Sequence, residues 1–152
     1  MKVHSLFAAA VAVAAGVATL AGASPGETSR ATGIVEVDPA RVADIALSPM
    51  QSTPHMKLMG TGDAGAGYRT DFSSADGHLS IGVALHDTVT LELTDWPIDE
   101  FMYFVEGQVE IRDAEGRGRI YGPGDAIVMP KGFTGTWRQL GPIKKIAVVY
   151  SP

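Results

Sequence analysis

Few side chains here are equipped for chemistry, and Glu100 stands foremost among them. The stretch DEFMYFVEG, Asp99 to Gly107, sets two acids before an apolar run and a third acid and a glycine behind it. A carboxylate at the mouth of a strand has two fates. Turned into an apolar interior, its charge is disfavoured and it suits proton transfer or the holding of an amine; turned outward, it is a solvated strand end. Alternation along the strand does not by itself choose the phase. Lys144 and Lys145 are neighbours on another strand-like run, so they point to opposite faces, and one of them can reach inward to balance Glu100.

The four histidines, His4, His55, His78 and His86, are poorly spaced for a shared ion. His78 and His86 flank one run and lie about 26 Å apart along a straight strand. His86 with Glu100 and Glu92 is the set from which a divalent-metal site would have to be rebuilt. No cofactor is expected. The chain has no cysteine, hence no thiol nucleophile and no disulfide. The glycine cluster before Tyr68 lacks the Lys-Ser/Thr ending of a phosphate loop, and no Gly-x-Ser-x-Gly pattern occurs.

Strands must position these residues. From Gly77 onward, runs rich in Val, Ile, Tyr and Phe recur between Gly, Pro and Asp: HLSIGVALH, TVTLELT, EFMYFV, QVEIRD, GRIYG, DAIVMP, GTWRQL and IKKIAVVY. Such a series predicts an all-β barrel or sandwich. In TVTLELT, Val89, Leu91 and Leu93 alternate with Thr88, Thr90, Glu92 and Thr94, so one face is buried and Thr90 and Glu92 face solvent. Glu106-Gly107 and Ala114-Glu115-Gly116 read as hairpin turns. Ahead of Gly77, residues 59–77 carry five glycines, Gly77 included, and read as loop or turns, and Asp38-Pro39 suits one helical turn.

Residues 1–23, MKVHSLFAAAVAVAAGVATLAGA, have a basic start, an uncharged Ala/Val/Leu run and the small triplet Ala21-Gly22-Ala23. This is the pattern of a signal peptide cleaved after Ala23, predicting a periplasmic or secreted protein with no membrane attachment after cleavage. Loss of Lys2 with that leader takes 12 basic residues to 11 against 17 acidic ones, a net charge of −6 on the remaining 129 residues. A chain of that size suits one domain with a real core, and the acidic balance argues against nucleic acid.

EFMYFVEG and GPGDAIVMPKG together resemble the two motifs of the cupin superfamily, whose fold is a small jelly-roll barrel. The first motif ends with Glu, six residues and Gly, as Glu100 and Gly107 do; the second runs Gly, five residues, Pro, any residue, Gly, as Gly124, Pro130 and Gly132 do. PKGFTGTW followed by PIKKIAVVY is similar to one branch in particular, the ureidoglycine-aminohydrolase-like cupins. The likeness spans about Gly77 to Tyr150, so the barrel is expected over 77–152, after an N-terminal arm and Gly-rich loop region over 24–76.

The resemblance implies three His and one Glu around a divalent ion. The expected His positions hold Thr94 and Trp96, or Leu93 and Asp95, and then Gly135; only Glu100 remains of the four. In this branch the ligands are often incomplete while the Asp-Glu persists, which implies Glu100 as an unmetallated acid/base facing inward with Met102 and Phe104. Lys145 matches a Lys near the start of the last strand in that branch and is its expected charge partner. If Gly135 faces the cavity and makes room where a His ring would sit, alternation turns Trp137 and Gln139 inward as ligand-binding residues, with Trp96 at the rim. Tyr103 then packs between sheets or at a subunit contact, and Lys131 is exposed.

The expected function is an exported small cupin that binds a small polar molecule in a metal-depleted pocket, with hydrolase- or lyase-like action on a ureide or amine. The alternative is a non-catalytic small-ligand binding module. Isomerisation of a sugar-like substrate lacks the His base such cupins usually employ. A homodimer paired through exposed strands and N-terminal arms is expected.

Overall fold

The computed structural model describes residues 33–60 and 62–152; the expected signal peptide over 1–23 and nearly all of the leader that follows it lie outside the described residues. Every one of the eight expected apolar runs forms a strand. Among the described residues the strands are β1 (Ser48–Pro49), β2 (Met56–Met59), β3 (Gly65–Ser73), β4 (Leu79–His86), β5 (Thr90–Leu93), β6 (Asp99–Glu106), β7 (Val109–Asp113), β8 (Gly118–Tyr121), β9 (Ala126–Met129), β10 (Gly135–Gln139) and β11 (Ile143–Tyr150). None of the described residues forms a helix, so no helix there is long and apolar enough to cross a membrane.

The strands build two antiparallel sheets, one ordered β1-β3-β4-β11-β6-β9 and the other β2-β5-β10-β7-β8. The two sheets face each other in a jelly roll. Period-two alternation explains which residues line the space between them: in β6, Glu100, Met102 and Phe104 are buried while Asp99, Phe101 and Tyr103 are exposed. In β11, Ile143, Lys145, Ala147 and Val149 are likewise buried. Met102, Phe104 and Ile143 from the first sheet meet Leu91, Leu93, Val109, Ile111 and Trp137 from the second in one core. The Phe104 and Trp137 rings stand 6.1 Å apart across the gap.

Three expectations need correction. Residues 59–77 are not simply a loop: β3 runs through them and pairs with β4 from Ala66↔His86 to Ser73↔Ser80. Its glycines serve close approach rather than turns, since a Cβ on Gly67 would lie 2.6 Å from Ala46 O and 2.7 Å from Ile45 Cγ2. Secondly, Glu106-Gly107 is not a hairpin within one sheet. It carries the chain from β6 in one sheet to β7 in the other, at a Gly107 φ of 77°. The Ala114-Glu115-Gly116 hairpin does form, with Asp113 N donating to Arg117 O at 2.8 Å. Thirdly, Asp38-Pro39 opens a turn closed by Arg41 N to Asp38 O at 3.3 Å, with no helix.

An N-terminal arm is clamped to the outer face of the six-stranded sheet by Arg69. This buried guanidinium holds the Asp71 carboxylate at 2.7 and 3.0 Å, donates to Asp38 O at 2.9 Å and to Arg41 O, and lies 3.5 Å from Asp44. The Asp71 carboxylate, first through its hydrogen bond, raises the Arg69 pKa further above its already high value.

Candidate functional site

Glu100 and Lys145 come from adjacent strands. Glu100 stands opposite Val149, and Lys145 opposite Phe104 across a register shift at Lys144/Lys145. Between them lies the pair Ala147 and Met102. The methyl group of Ala147 leaves space for the long lysine stem to run along the inner face toward Glu100. Lys145 Nζ donates to Glu100 Oε1 at 2.9 Å and lies 3.1 Å from Met102 Sδ. It also stands 5.1 Å from the centre of the Trp137 ring. Both side chains are more than nine-tenths buried. The inward phase of Glu100 is the one expected, and so is its pairing with Lys145 rather than Lys144. Lys144 instead reaches Glu106 outside, at 2.5 Å.

This pair lines a pocket of about 70 Å³ between the sheets. Its walls are largely apolar, including Met56, Leu91, Leu93, Ile98 and Met129. Two further lining residues each carry a polar atom buried without any partner: Nε1 of Trp96 and Nδ1 of His86. The His86 pKa is lowered to about 3, first by burial and then by the charge of Lys145, so the ring is neutral at ordinary pH. Tyr68, from β3, also lines the pocket. Burial raises its pKa, against a weaker opposing effect of its hydrogen bond to Ser80, and keeps the phenol protonated.

Trp96 is held firmly at the pocket. Its N donates to Phe133 O at 2.9 Å and its O accepts from Gly132 N at 2.7 Å. The preceding Asp95 adopts φ 48°, a left-handed conformation that a non-glycine residue takes at some cost.

Trp137 also lines the pocket and is buried as expected. Gln139 is buried but does not line it. With its amide turned to face its neighbours correctly, Gln139 donates to Asp87 O at 2.6 Å and accepts from Trp137 Nε1 at 3.1 Å. Its hydrogen bonds serve to fix Trp137. Sequence reasoning placed His86 only as a metal candidate and missed Tyr68 altogether. The same-phase residues Ala66 and Tyr68 carried a signal, but the surrounding glycines obscured it.

The positions at which the motifs imply His ligands hold other residues. Thr94 is exposed, Trp96 offers only a donor N–H, and Gly135 carries no side chain. Gly135 does not open a space either: a Cβ there would lie 2.0 Å from Arg112 O and 2.9 Å from Phe133 Cζ. Glu100 is already engaged by the Lys145 ammonium, a positive charge near where an ion would have to sit. Among the described residues no three of His, Cys, Asp and Glu gather around one point. The donor set does not fit a divalent cation.

This chain is similar to several known proteins. A family model described as EutQ-like cupin domain matches residues 90–147. A protein of unknown function of the DUF861 family from Pseudomonas syringae pv. tomato is 22% identical, with a TM-score of 0.59 over 74% of this chain and 46% of that one. This chain therefore spans under half the length of that relative. The EutQ protein of Clostridium difficile is 22% identical, with a TM-score of 0.48 over 57% of this chain and 68% of that one. Ectoine synthase from P. lautus is 21% identical, with a TM-score of 0.48 over 57% of this chain and 64% of that one. No curated protein matches this chain. The fold is a cupin jelly roll.

Proposed function

We propose that this cupin-fold chain binds a small, uncharged, carbonyl-bearing molecule between its sheets, and that Glu100 and Lys145 exchange a proton with it. The observation that carries this reading is the buried ion pair at 2.9 Å in a pocket lined also by two residues with unpartnered polar atoms. A buried N–H without an acceptor costs about 1–3 kcal/mol. A ligand oxygen that accepts from Trp96 Nε1 recovers that cost on binding. The pair is neutral as a whole and His86 is uncharged, so a charged ligand would enter without a counter-ion. An uncharged ureide therefore suits the pocket better than an ammonium, which would have to displace Lys145 from Glu100.

The ureide class rests on the likeness of PKGFTGTW and PIKKIAVVY to ureidoglycine-aminohydrolase-like cupins, and an exported location rests on the pattern of residues 1–23. Hydrolysis or elimination at a C–N bond is the reaction a positioned acid/base pair would assist. The test is a thermal-shift panel of small ureides and amides, followed by assay of any stabilising compound for ammonia release. Glu100→Gln is expected to abolish turnover while leaving binding largely intact. A compound that stabilises the wild type and is never turned over would favour the non-catalytic binding module.

We further propose a homodimer through the outer face of the six-stranded sheet. Phe101 lies beside Val128 and Val148, and Tyr103 beside Ala126 and Ile146. Phe101, Tyr103, Val128 and Tyr150 are all substantially exposed, and an apolar patch of this kind is a common association surface. Sedimentation at micromolar concentration tests it, and a monomer would refute it.

A further inference from the structure

Lys145 is an amine nucleophile as well as a charge partner. We propose that Lys145 condenses with small aldehydes and ketones in this pocket to form an imine, with Glu100 as its acid/base. The proposal rests on the reading of the pocket as a small-molecule site and deepens it by naming a substrate class.

Three features carry it. The first is placement: Lys145 lines the pocket, and its Nζ is buried among Met102, Trp137 and Glu100 rather than in water. A lysine in an apolar enclosure is the usual setting for Schiff-base chemistry, because low polarity favours uncharged amine and protects the imine from bulk water. The second is the carboxylate at 2.9 Å. That contact is short enough for one proton to pass directly from Lys145 to Glu100, giving a free amine with the acid beside it. The third is complementarity. A small carbonyl compound brings an acceptor oxygen for the unpartnered Trp96 Nε1 and an apolar body for the Met and Leu walls. The volume of about 70 Å³ suits a compact molecule.

The step balances without a further reagent. Lys145 ammonium gives a proton to Glu100 carboxylate, and the free amine attacks the carbonyl carbon. As the C–N bond forms, the carbonyl π pair moves to oxygen. That oxygen takes the proton held by Glu100, and the nitrogen returns one proton to the same carboxylate. Glu100 then protonates the hydroxyl, the C–O bond breaks, and water leaves as the nitrogen lone pair forms C=N. The product is a protonated imine on Lys145 facing the Glu100 carboxylate, with one water released and no change of oxidation state.

The experiment uses the whole protein with propionaldehyde and cyanoborohydride, which reduces an imine to a stable secondary amine, followed by peptide mass mapping over time. The exposed Lys57 and Lys131 serve as internal references. Lys145 is expected to be alkylated about tenfold faster than either, although a buried lysine lacking such activation is labelled more slowly than an exposed one. Lys145→Arg should lose that product and keep the reference ones. Propionamide, which cannot condense, is measured in parallel by thermal shift. Stabilisation by propionamide with no preferential labelling of Lys145 overturns the imine and leaves the binding reading standing; neither effect overturns both. Preferential labelling of Lys145 supports the imine whatever the amide does.

Discussion

Lys145 reaches past Ala147 to place its ammonium 2.9 Å from Glu100, on the inner face of the six-stranded sheet. Each residue alone would be a costly group to bury. Together they form a closed unit, and their coupling makes the first prediction. Glu100→Leu or Lys145→Met alone leaves a buried charge unpaired and should destabilise the fold by about 3–5 kcal/mol. The double change Glu100→Leu with Lys145→Met should cost much less than the sum of the two. Urea unfolding of the four proteins measures the coupling, and additive losses would count against it.

His86 should give stability a distinct pH dependence. Its folded pKa of about 3 lies below the ordinary value of 6.5. Between those values the unfolded chain takes up a proton that the folded chain refuses. Stability is therefore full above about pH 6.5 and falls as pH drops, by about 1.4 kcal/mol per unit, until about pH 3. Replacing His86 by Gln should flatten the slope over that window, measured as the difference in unfolding free energy at pH 7 and pH 4.5.

Trp96 separates binding from stability. Its indole N–H is buried with no acceptor, so Trp96→Phe removes an unsatisfied donor and should change stability by under about 1 kcal/mol. The same variant should bind a carbonyl-bearing ligand several-fold more weakly. Trp137→Phe behaves differently, since it deprives Gln139 of its 3.1 Å donor and should lower stability. Parallel thermal-shift titrations distinguish the two tryptophans.

Restoring a histidine at position 135 should not restore a metal site. The backbone oxygen of Arg112 lies 2.0 Å from where the Cβ would be. Gly135→His is expected to destabilise by at least about 1–3 kcal/mol and to leave metal affinity unchanged. A gain of stoichiometric metal with unchanged stability would show that the strand can shift to admit it.

The eight later strands were legible because alternation and Gly/Pro punctuation are local signals. The inward phase of Glu100 became legible once the motif register was added. What escaped depended on three-dimensional neighbours. The glycines around Gly67 looked like turn residues, yet Gly67 is small because Ala46 and Ile45 press against it. Glu106-Gly107 has the chemistry of a hairpin turn, and nothing in two residues says that the next strand joins the other sheet. Gln139 was expected to meet a ligand, but its amide donates to Asp87 and accepts from Trp137 instead. Conversely, the idle nitrogens of Trp96 and His86 matter because of what does not contact them, and a sequence carries no record of that.

The ammonium of Lys145 has a consequence for how the site matures. A charge delivered by the chain itself is in place as soon as the strands close. It also cannot be swapped for a different ion to retune the chemistry. Adjusting this pocket over evolutionary time would have to proceed through the side chains surrounding one fixed amine.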